Sequence, residues 1–224
     1  MRQRYVMYID GYNFYYAISR FRQTTPLYLG WCDFGRLAAQ YMVPSSGDLV
    51  AIKYFTAHVG DFGRQGDECG SEARRQAVWL SAVGTIANIK VIEGFHDGDS
   101  STSAEARARS RKEKQTDVNI AVSMVVDAAA GSGMDHAILV TGDRDLIPAV
   151  SAVTRHYGKH VDVWLPPNRA LLHWKFLEAP VPGVTGRIRV REITRQMLER
   201  SRLPERLVAG DGSVVQAPAL WRKQ

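Results

Sequence analysis

Five short apolar runs alternate with helix-like segments along this chain, and that alternation limits the fold more than any other feature. The runs are rich in β-branched and aromatic residues, which favour strands. They span residues 5–9, 48–57, 89–94, 137–141 and 160–165. The predicted helices between and after them span residues 12–21, 34–41, 72–83, 117–129 and 146–157. The sequence therefore predicts an α/β protein with three α/β/α layers around a central, mostly parallel sheet.

The alternation ends after Pro182, which suggests a division of the chain. With 224 residues, 45% of them hydrophobic, the chain is long enough for one large domain with a real core. We predict a first domain over residues 1–182 and a small basic C-terminal appendage over residues 183–224. Within the appendage, residues 207–215 are expected to form a hairpin around an Asp-Gly turn.

Positive charge is concentrated in two segments. The formal net charge of the chain is +6, and residues 104–114 and 187–206 carry net charges of +3 and +4. Segregated positive charge suits a polyanionic partner such as nucleic acid, which we predict here. Each segment alone is equally consistent with a solvated helix face.

The sequence shows no stretch that approaches the roughly 20 apolar residues needed to cross a bilayer, so no membrane partner is expected. Residues 1–4 lead directly into a strand rather than a signal-peptide core, which predicts a cytoplasmic location. Cys32 and Cys69 lack the spacing of a zinc or redox motif and are expected to be buried or free thiols.

Aspartates stand where two predicted strands end. Asp10 follows the first strand, and Asp143 and Asp145 follow the strand over residues 137–141. Because parallel strands present their carboxyl ends at one edge of the sheet, these side chains are expected to converge there. Asp117 opens a helix at the head of the face that packs on the sheet, and we expect it to join them. An aspartate in a first turn is also favourable helix chemistry by itself.

Such a cluster predicts a divalent cation. Hard oxygen ligands without histidine or cysteine select Mg²⁺ or Mn²⁺ over zinc. Asn13 and Thr141 are suited to hold a carboxylate or a ligated water, although a local cap or turn bond is an equally good explanation. Asp127 follows Asp117 by ten residues, about 15 Å along a helix, so it is expected at the surface or in a salt bridge.

Three segments resemble the motifs of the NYN domain family, which comprises PIN-like nucleases related to the FLAP nuclease superfamily. They are Asp10-Gly11-Tyr12-Asn13, Glu113-Lys114-Gln115-Thr116-Asp117-Val118-Asn119-Ile120-Ala121 and Thr141-Gly142-Asp143-Arg144-Asp145. The resemblance covers roughly residues 4–166. It implies an α/β/α fold, an acidic metal-binding pocket and Mg²⁺- or Mn²⁺-dependent ribonuclease activity.

By the resemblance, the acidic positions of the family fall on Asp10, Asp117, Asp143 and Asp145, and its asparagine falls on Asn13. Many members carry a further aspartate six residues after the Asp117 position, where this chain has Ser123. That departure favours either a single-metal enzyme or a binding protein that keeps the fold.

We therefore predict a metal-dependent ribonuclease whose catalytic residues are the four aspartates and Asn13. Lys114, Arg111 and Lys112 are predicted to contact the substrate phosphates. A non-catalytic RNA- or protein-binding regulatory module and a DNA-directed defence nuclease stay open as alternatives, because a basic groove holds either nucleic acid backbone. Tyr12, beside Asp10, is a candidate for base stacking, with core packing as the alternative. No phosphate-binding glycine loop follows a strand.

Overall fold

The computed structural model describes residues 2–20, 26–42, 47–57, 67–94, 116–130, 133–169 and 171–223, without the side chains of residues 67–72. Within these ranges six parallel strands form one sheet in the order β3-β2-β1-β4-β5-β6. The strands are β1 (Gln3–Asp10), β2 (Gly47–Ala57), β3 (Ile89–Gly94), β4 (His136–Val140), β5 (His160–Leu165) and β6 (Ile188–Glu192).

Helices cover both faces of the sheet, which confirms the predicted three-layer fold. One face packs against α1 (Gly11–Ser19), α2 (Phe34–Ala39) and α3 (Asp67–Val83). The other face packs against α4 (Thr116–Ala129), α5 (Ile147–Arg155) and the short α6 (Leu172–Lys175). Helix α3 begins at Asp67, five residues before its predicted start at residue 72. Among the described residues, no helix is long and apolar enough to cross a membrane.

Strand β1 shows why the apolar runs are continuous. Met7 and Ile9 belong to the core between the sheet and α1–α3, whereas Val6 and Tyr8 belong to the core on the opposite face. A strand buried on both faces needs apolar side chains at successive positions, and the runs in this sequence have them. The central strands are therefore fixed by burial on two sides.

The strand order creates a crevice between β1 and β4. The chain runs from β1 to β2 and β3 on one side of β1, then crosses over to β4 on the other side. In open α/β sheets, ligands bind outside the carboxyl ends of the strands at such a reversal. Asp10 ends β1 at this place, and Thr141 directly follows β4.

The C-terminal segment contributes to the sheet and to the core. Strand β6 pairs in parallel with β5, an arrangement that the sequence analysis did not anticipate. Its sequence, Ile-Arg-Val-Arg-Glu, alternates apolar and charged residues, as an edge strand does, and was included in the basic segment. The predicted hairpin is present as β7 (Arg206–Val208) and β8 (Val214–Gln216). The division into two domains stays a prediction.

Between β6 and the hairpin, the one-and-a-half-turn helix α7 (Arg195–Arg200) packs beside α2, and Thr194 caps it. The Thr194 hydroxyl oxygen accepts a hydrogen bond of 3.3 Å from the Met197 N–H. We expect Thr194→Ala to lower the free energy of unfolding by about 1 kcal/mol, because the cap is lost while Met197 stays buried. Gln196→Ala, an exposed change in the same helix, should stay within about 0.5 kcal/mol of wild type. Urea unfolding measures both, and equal effects would contradict a capping role.

Candidate active site

Asp10 is the buried centre of the acidic site. It is 4% exposed and caps the amino end of α1. Its Oδ1 accepts a hydrogen bond of 2.9 Å from the Asn13 N–H, and its Oδ2 accepts one of 2.9 Å from the Thr141 hydroxyl. These two bonds fix the carboxylate between β1 and β4.

Steric crowding explains why a glycine follows Asp10. A Cβ atom at Gly11 would lie 2.6 Å from the Tyr54 side chain and 2.7 Å from the Phe55 carbonyl oxygen. Only glycine lets α1 start this close to β2. The Asp-Gly pair at the start of the first motif therefore sets both the cap and the close packing of helix and strand.

Asp143 and Asp145 lie in the tight turn that links β4 to α5. The Asp143 N–H donates a hydrogen bond of 3.0 Å to the Thr141 hydroxyl oxygen. The Asp145 N–H in turn donates one of 3.0 Å to Asp143 Oδ1. The Thr141 hydroxyl thus donates to the Asp10 carboxylate and accepts from the backbone of the turn that carries Asp143. The prediction that this hydroxyl holds a carboxylate is confirmed.

The carboxylates interact electrostatically across the crevice. Burial and the nearby charges of Asp117 and Asp143 raise the pKa of Asp10 to about 6, against the opposing effect of its two hydrogen bonds. Asp117 lies in the first turn of α4 and is exposed, yet partial burial and the charges of Asp143 and Asp145 raise its pKa as well. The charges of Asp117 and Asp143 therefore act on Asp10, and those of Asp143 and Asp145 act on Asp117.

The donor set fits a hard divalent cation. Asp10, Asp117, Asp143 and Asp145 offer only carboxylate oxygens, and each carboxylate has acceptor capacity beyond its protein hydrogen bonds. In the part of the chain that the structure describes, no three Asp, Glu, His or Cys side chains form a preassembled cage. A site with this spacing would complete its shell with water, as Mg²⁺ sites commonly do.

Asn13 connects the site to a residue that the sequence analysis missed. Its side-chain oxygen accepts a hydrogen bond of 2.8 Å from the Gly142 N–H and one of 3.3 Å from Arg169 Nη2. Arg169 follows β5, and its side chain lies 2.8 Å from where a Cβ of Gly142 would stand. Since β5 neighbours β4 and ends at the same edge, an arginine just after β5 was the signal available in the sequence.

Other candidates lie elsewhere. Lys114, Arg111 and Lys112 fall outside the described residues, so their predicted phosphate contacts stay predictions. Ser123 lies half-buried in α4.

Asp127 lies away from the other acids. Its Oδ2 accepts hydrogen bonds of 2.6 Å from Lys53 Nζ and 2.5 Å from the Tyr8 hydroxyl. The prediction that Asp127 forms a salt bridge is therefore confirmed.

An aromatic cavity of about 300 Å³ adjoins the acidic site. It starts at Gly11, the residue next to Asp10, and its polar lining includes Thr56, Arg75 and Gln76. Most of its wall is formed by the side chains of Tyr12, Tyr15, Tyr16, Tyr54, Trp79 and Trp221. The sequence had suggested the aromatic cluster of α1, and Tyr12 first among it, as a contact beside the acids. Tyr54, Trp79 and Trp221 come from distant parts of the chain, so the complete cavity appears only in the folded protein.

An open parallel sheet with acids at its strand-order reversal is the architecture of a PIN-like domain. Residues 4–174 match the model of the NYN domain, so this chain belongs to the NYN domain family. The match confirms the predicted family and places the chain in a superfamily of nucleases.

Two known proteins are similar to the chain. One is a 6-hydroxy-3-succinoylpyridine 3-monooxygenase of Pseudomonas putida, 31% identical over 209 residues, a match that covers 75% of this chain. The chain spans 64% of that protein's length. The other is the crystal structure of a protein of unknown function from Vibrio parahaemolyticus, with a TM-score of 0.53 and 17% identity, covering 86% of this chain and 94% of that one. The second likeness supports the fold alone.

Proposed function

We propose that this protein is a divalent-metal-dependent nuclease that hydrolyses RNA phosphodiester bonds at the four aspartates. The observation that carries the proposal is the placement of the aspartates at the reversal of strand order, where Thr141 links Asp10 to the turn of Asp143 and Asp145. Asp117 joins them electrostatically, since the charges of Asp143 and Asp145 raise its pKa. Membership of a family of PIN-like nucleases supports the same chemistry.

Each residue has a definite task in this proposal. The four carboxylates would hold Mg²⁺ or Mn²⁺, which lowers the pKa of a bound water and offsets charge on the attacked phosphate. Thr141 and the Asn13 backbone keep Asp10 in place. The Asn13 side chain holds the Gly142 backbone, which fixes the turn that carries Asp143. Arg169 supplies a cation at the same edge for a phosphate oxygen.

The test is a cleavage assay on matched RNA and DNA single strands with Mn²⁺, with Mg²⁺ and with EDTA. We expect RNA cleavage with either ion and none with EDTA. Cleavage of DNA but not RNA would show that the substrate is DNA and would leave the proposed role of the acidic site unchanged. Binding of RNA without cleavage under any metal would identify the protein as a regulatory module, the alternative that Ser123 leaves open.

Arg169 provides a more specific prediction for this mechanism. Arg169→Ala should lower kcat/KM for RNA about 10- to 100-fold, because a charge-assisted hydrogen bond to phosphate is worth roughly 1.5–3 kcal/mol. Arg169→Lys keeps the positive charge but loses the forked donors of the guanidinium, so its kcat/KM should lie between those of wild type and Arg169→Ala. The matched control is Arg155→Ala, an exposed arginine at the end of α5. Equal rates for wild type and Arg169→Ala would exclude a role in phosphate contact.

A second function is favoured by the aromatic cavity together with the monooxygenase relative. A pocket of about 300 Å³ lined by rings has the size and chemistry to hold a pyridine. In that case the chain would oxygenate 6-hydroxy-3-succinoylpyridine. In the presence of ¹⁸O₂ and NADH, which supplies the two electrons that reduce the second oxygen atom to water, the protein would then convert the compound to an ¹⁸O-labelled product detectable by mass spectrometry. An unlabelled, unchanged compound would remove this candidate.

A further inference from the structure

We propose that the aromatic cavity binds one unpaired nucleobase of the strand whose phosphate lies at the aspartates. This inference rests on the proposed nuclease function, since the acidic site delivers the strand to the cavity. The two sites adjoin at the start of α1. Gly11 lines the cavity and directly follows Asp10, so their Cα atoms are about 3.8 Å apart. A nucleotide next to the attacked phosphate is therefore within reach of the cavity.

Two rings that line the cavity are exposed to solvent. Tyr15 and Tyr16 are 41% and 42% exposed. Their ring centroids are 5.6 Å apart, and the Tyr12 ring lies 5.9 Å from that of Tyr16. Arg20 places its guanidinium carbon 5.2 Å from the Tyr16 ring centre. Rings and guanidinium groups together are the surface on which single-stranded nucleic acids stack.

The lining also suits the edge of a base. Thr56 and Gln76 add hydroxyl and amide groups, and Arg75 adds positive charge that favours a polyanion. The Gln76 amide is held in place by a hydrogen bond of 2.7 Å from Nε2 to the Ala57 carbonyl oxygen. A base has flat apolar faces and a polar edge, which matches this combination. A volume of about 300 Å³ lies at the small end of the range for ligand pockets and suits one base rather than a stacked run.

One ring of the cavity lies outside the residues that match the family. Trp221 lies 47 residues beyond the end of the family match at residue 174 and packs at 5.7 Å from the Trp79 ring. The C-terminal segment therefore completes a pocket that starts at the first motif of the family.

The test measures RNA binding without cleavage. Fluorescein-labelled 12-nucleotide RNAs, each with one abasic site at a different position, are titrated with wild type, Tyr16→Ala and Tyr157→Ala in Ca²⁺. Tyr157 is a matched control, because it is a tyrosine of similar exposure, 39%, just beyond α5. For wild type we expect one abasic position to raise Kd roughly 5- to 150-fold, the value of one stacked base. Tyr16→Ala should raise Kd for intact RNA by a similar factor and lose the dependence on that position, while Tyr157→Ala behaves like wild type.

Three results separate this inference from the proposed function. If one abasic position weakens binding as expected but Mn²⁺ gives no cleavage, the base pocket is supported and the proposed nuclease activity is refuted. Cleavage with unchanged RNA binding by Tyr16→Ala, or with no sensitive abasic position, would refute the pocket and leave the nuclease intact. If Tyr16→Ala weakens calorimetric binding of 3-hydroxypyridine but not of RNA, the cavity belongs to a free aromatic compound and the inference is overturned.

Discussion

Asp143→Asn is expected to cleave RNA about 10³-fold more slowly than wild type in the presence of Mn²⁺. Removing one carboxylate weakens the hold on a cation whose stabilisation of the reacting phosphate is worth several kcal/mol, and each 1.36 kcal/mol is tenfold in rate. The asparagine oxygen can still accept the Asp145 N–H, so the turn after β4 is preserved. Initial rates on a labelled single strand give the ratio.

Asp33→Asn is the matched control for that variant. Asp33 also caps a helix, since its Oδ1 accepts a hydrogen bond of 3.0 Å from the Arg36 N–H at the start of α2. Asp33 lies outside the acidic site, so Asp33→Asn should leave the acidic site intact and the cleavage rate within roughly twofold of wild type. If both variants cleave at the wild-type rate, the proposed site is wrong.

Asp10→Asn is expected to stabilise the metal-free protein by up to about 3 kcal/mol at pH 7.5. The pKa of Asp10 is about 6 in the folded protein, against 3.8 for an ordinary aspartate, mainly because of burial. Between these two values the folded protein binds a proton that the unfolded chain does not, so stability falls as pH rises from about 4 to 6. Above pH 7 the full cost of ionising Asp10 in the folded protein is present, at about 1.36 kcal/mol for each unit by which its folded and unfolded pKa values differ. Asparagine is neutral and avoids this cost, but its single oxygen keeps only one of the two hydrogen bonds to Asp10, so about 3 kcal/mol is an upper limit.

Urea unfolding at several pH values measures this effect. The advantage of Asp10→Asn over wild type should be largest at pH 7.5 and below about 1 kcal/mol at pH 4, where the folded carboxyl is protonated and the unfolded one is about half ionised. Saturating Mn²⁺ should stabilise wild type more than the variant, because an ion that binds the folded state alone stabilises it by mass action. A difference between the two proteins that does not change with pH would contradict the raised pKa of Asp10.

Much of the fold follows from local pattern. Runs of β-branched and aromatic residues are continuous because β1, β4 and β5 are buried on both faces, and this condition is visible in the sequence itself. Strands β3 and β5 have the predicted bounds. The acids stand at strand ends and at a helix start, so the parallel arrangement alone brings them to one edge. The roles of Asp10, Asn13, Asp117, Asp143 and Asp145 in catalysis stay predictions.

Other features depend on contacts between distant segments. Strand β6 carries alternating arginines that resemble a solvated basic segment, and only its pairing with β5 identifies it as an edge strand. Arg169 reaches Asn13 across 156 positions of sequence. Trp221 meets Trp31 and Trp79 in the core beside the cavity.

The sequence by itself therefore determined the α/β class, the family and the aspartates at the strand ends, because periodicity and strand termini are local properties. Tertiary structure decided how deeply Asp10 is buried, which arginine shares its edge and that a ring-lined cavity opens beside it. Burial and charge at a site are sums over neighbours that lie far apart in sequence, and folding alone brings those neighbours together.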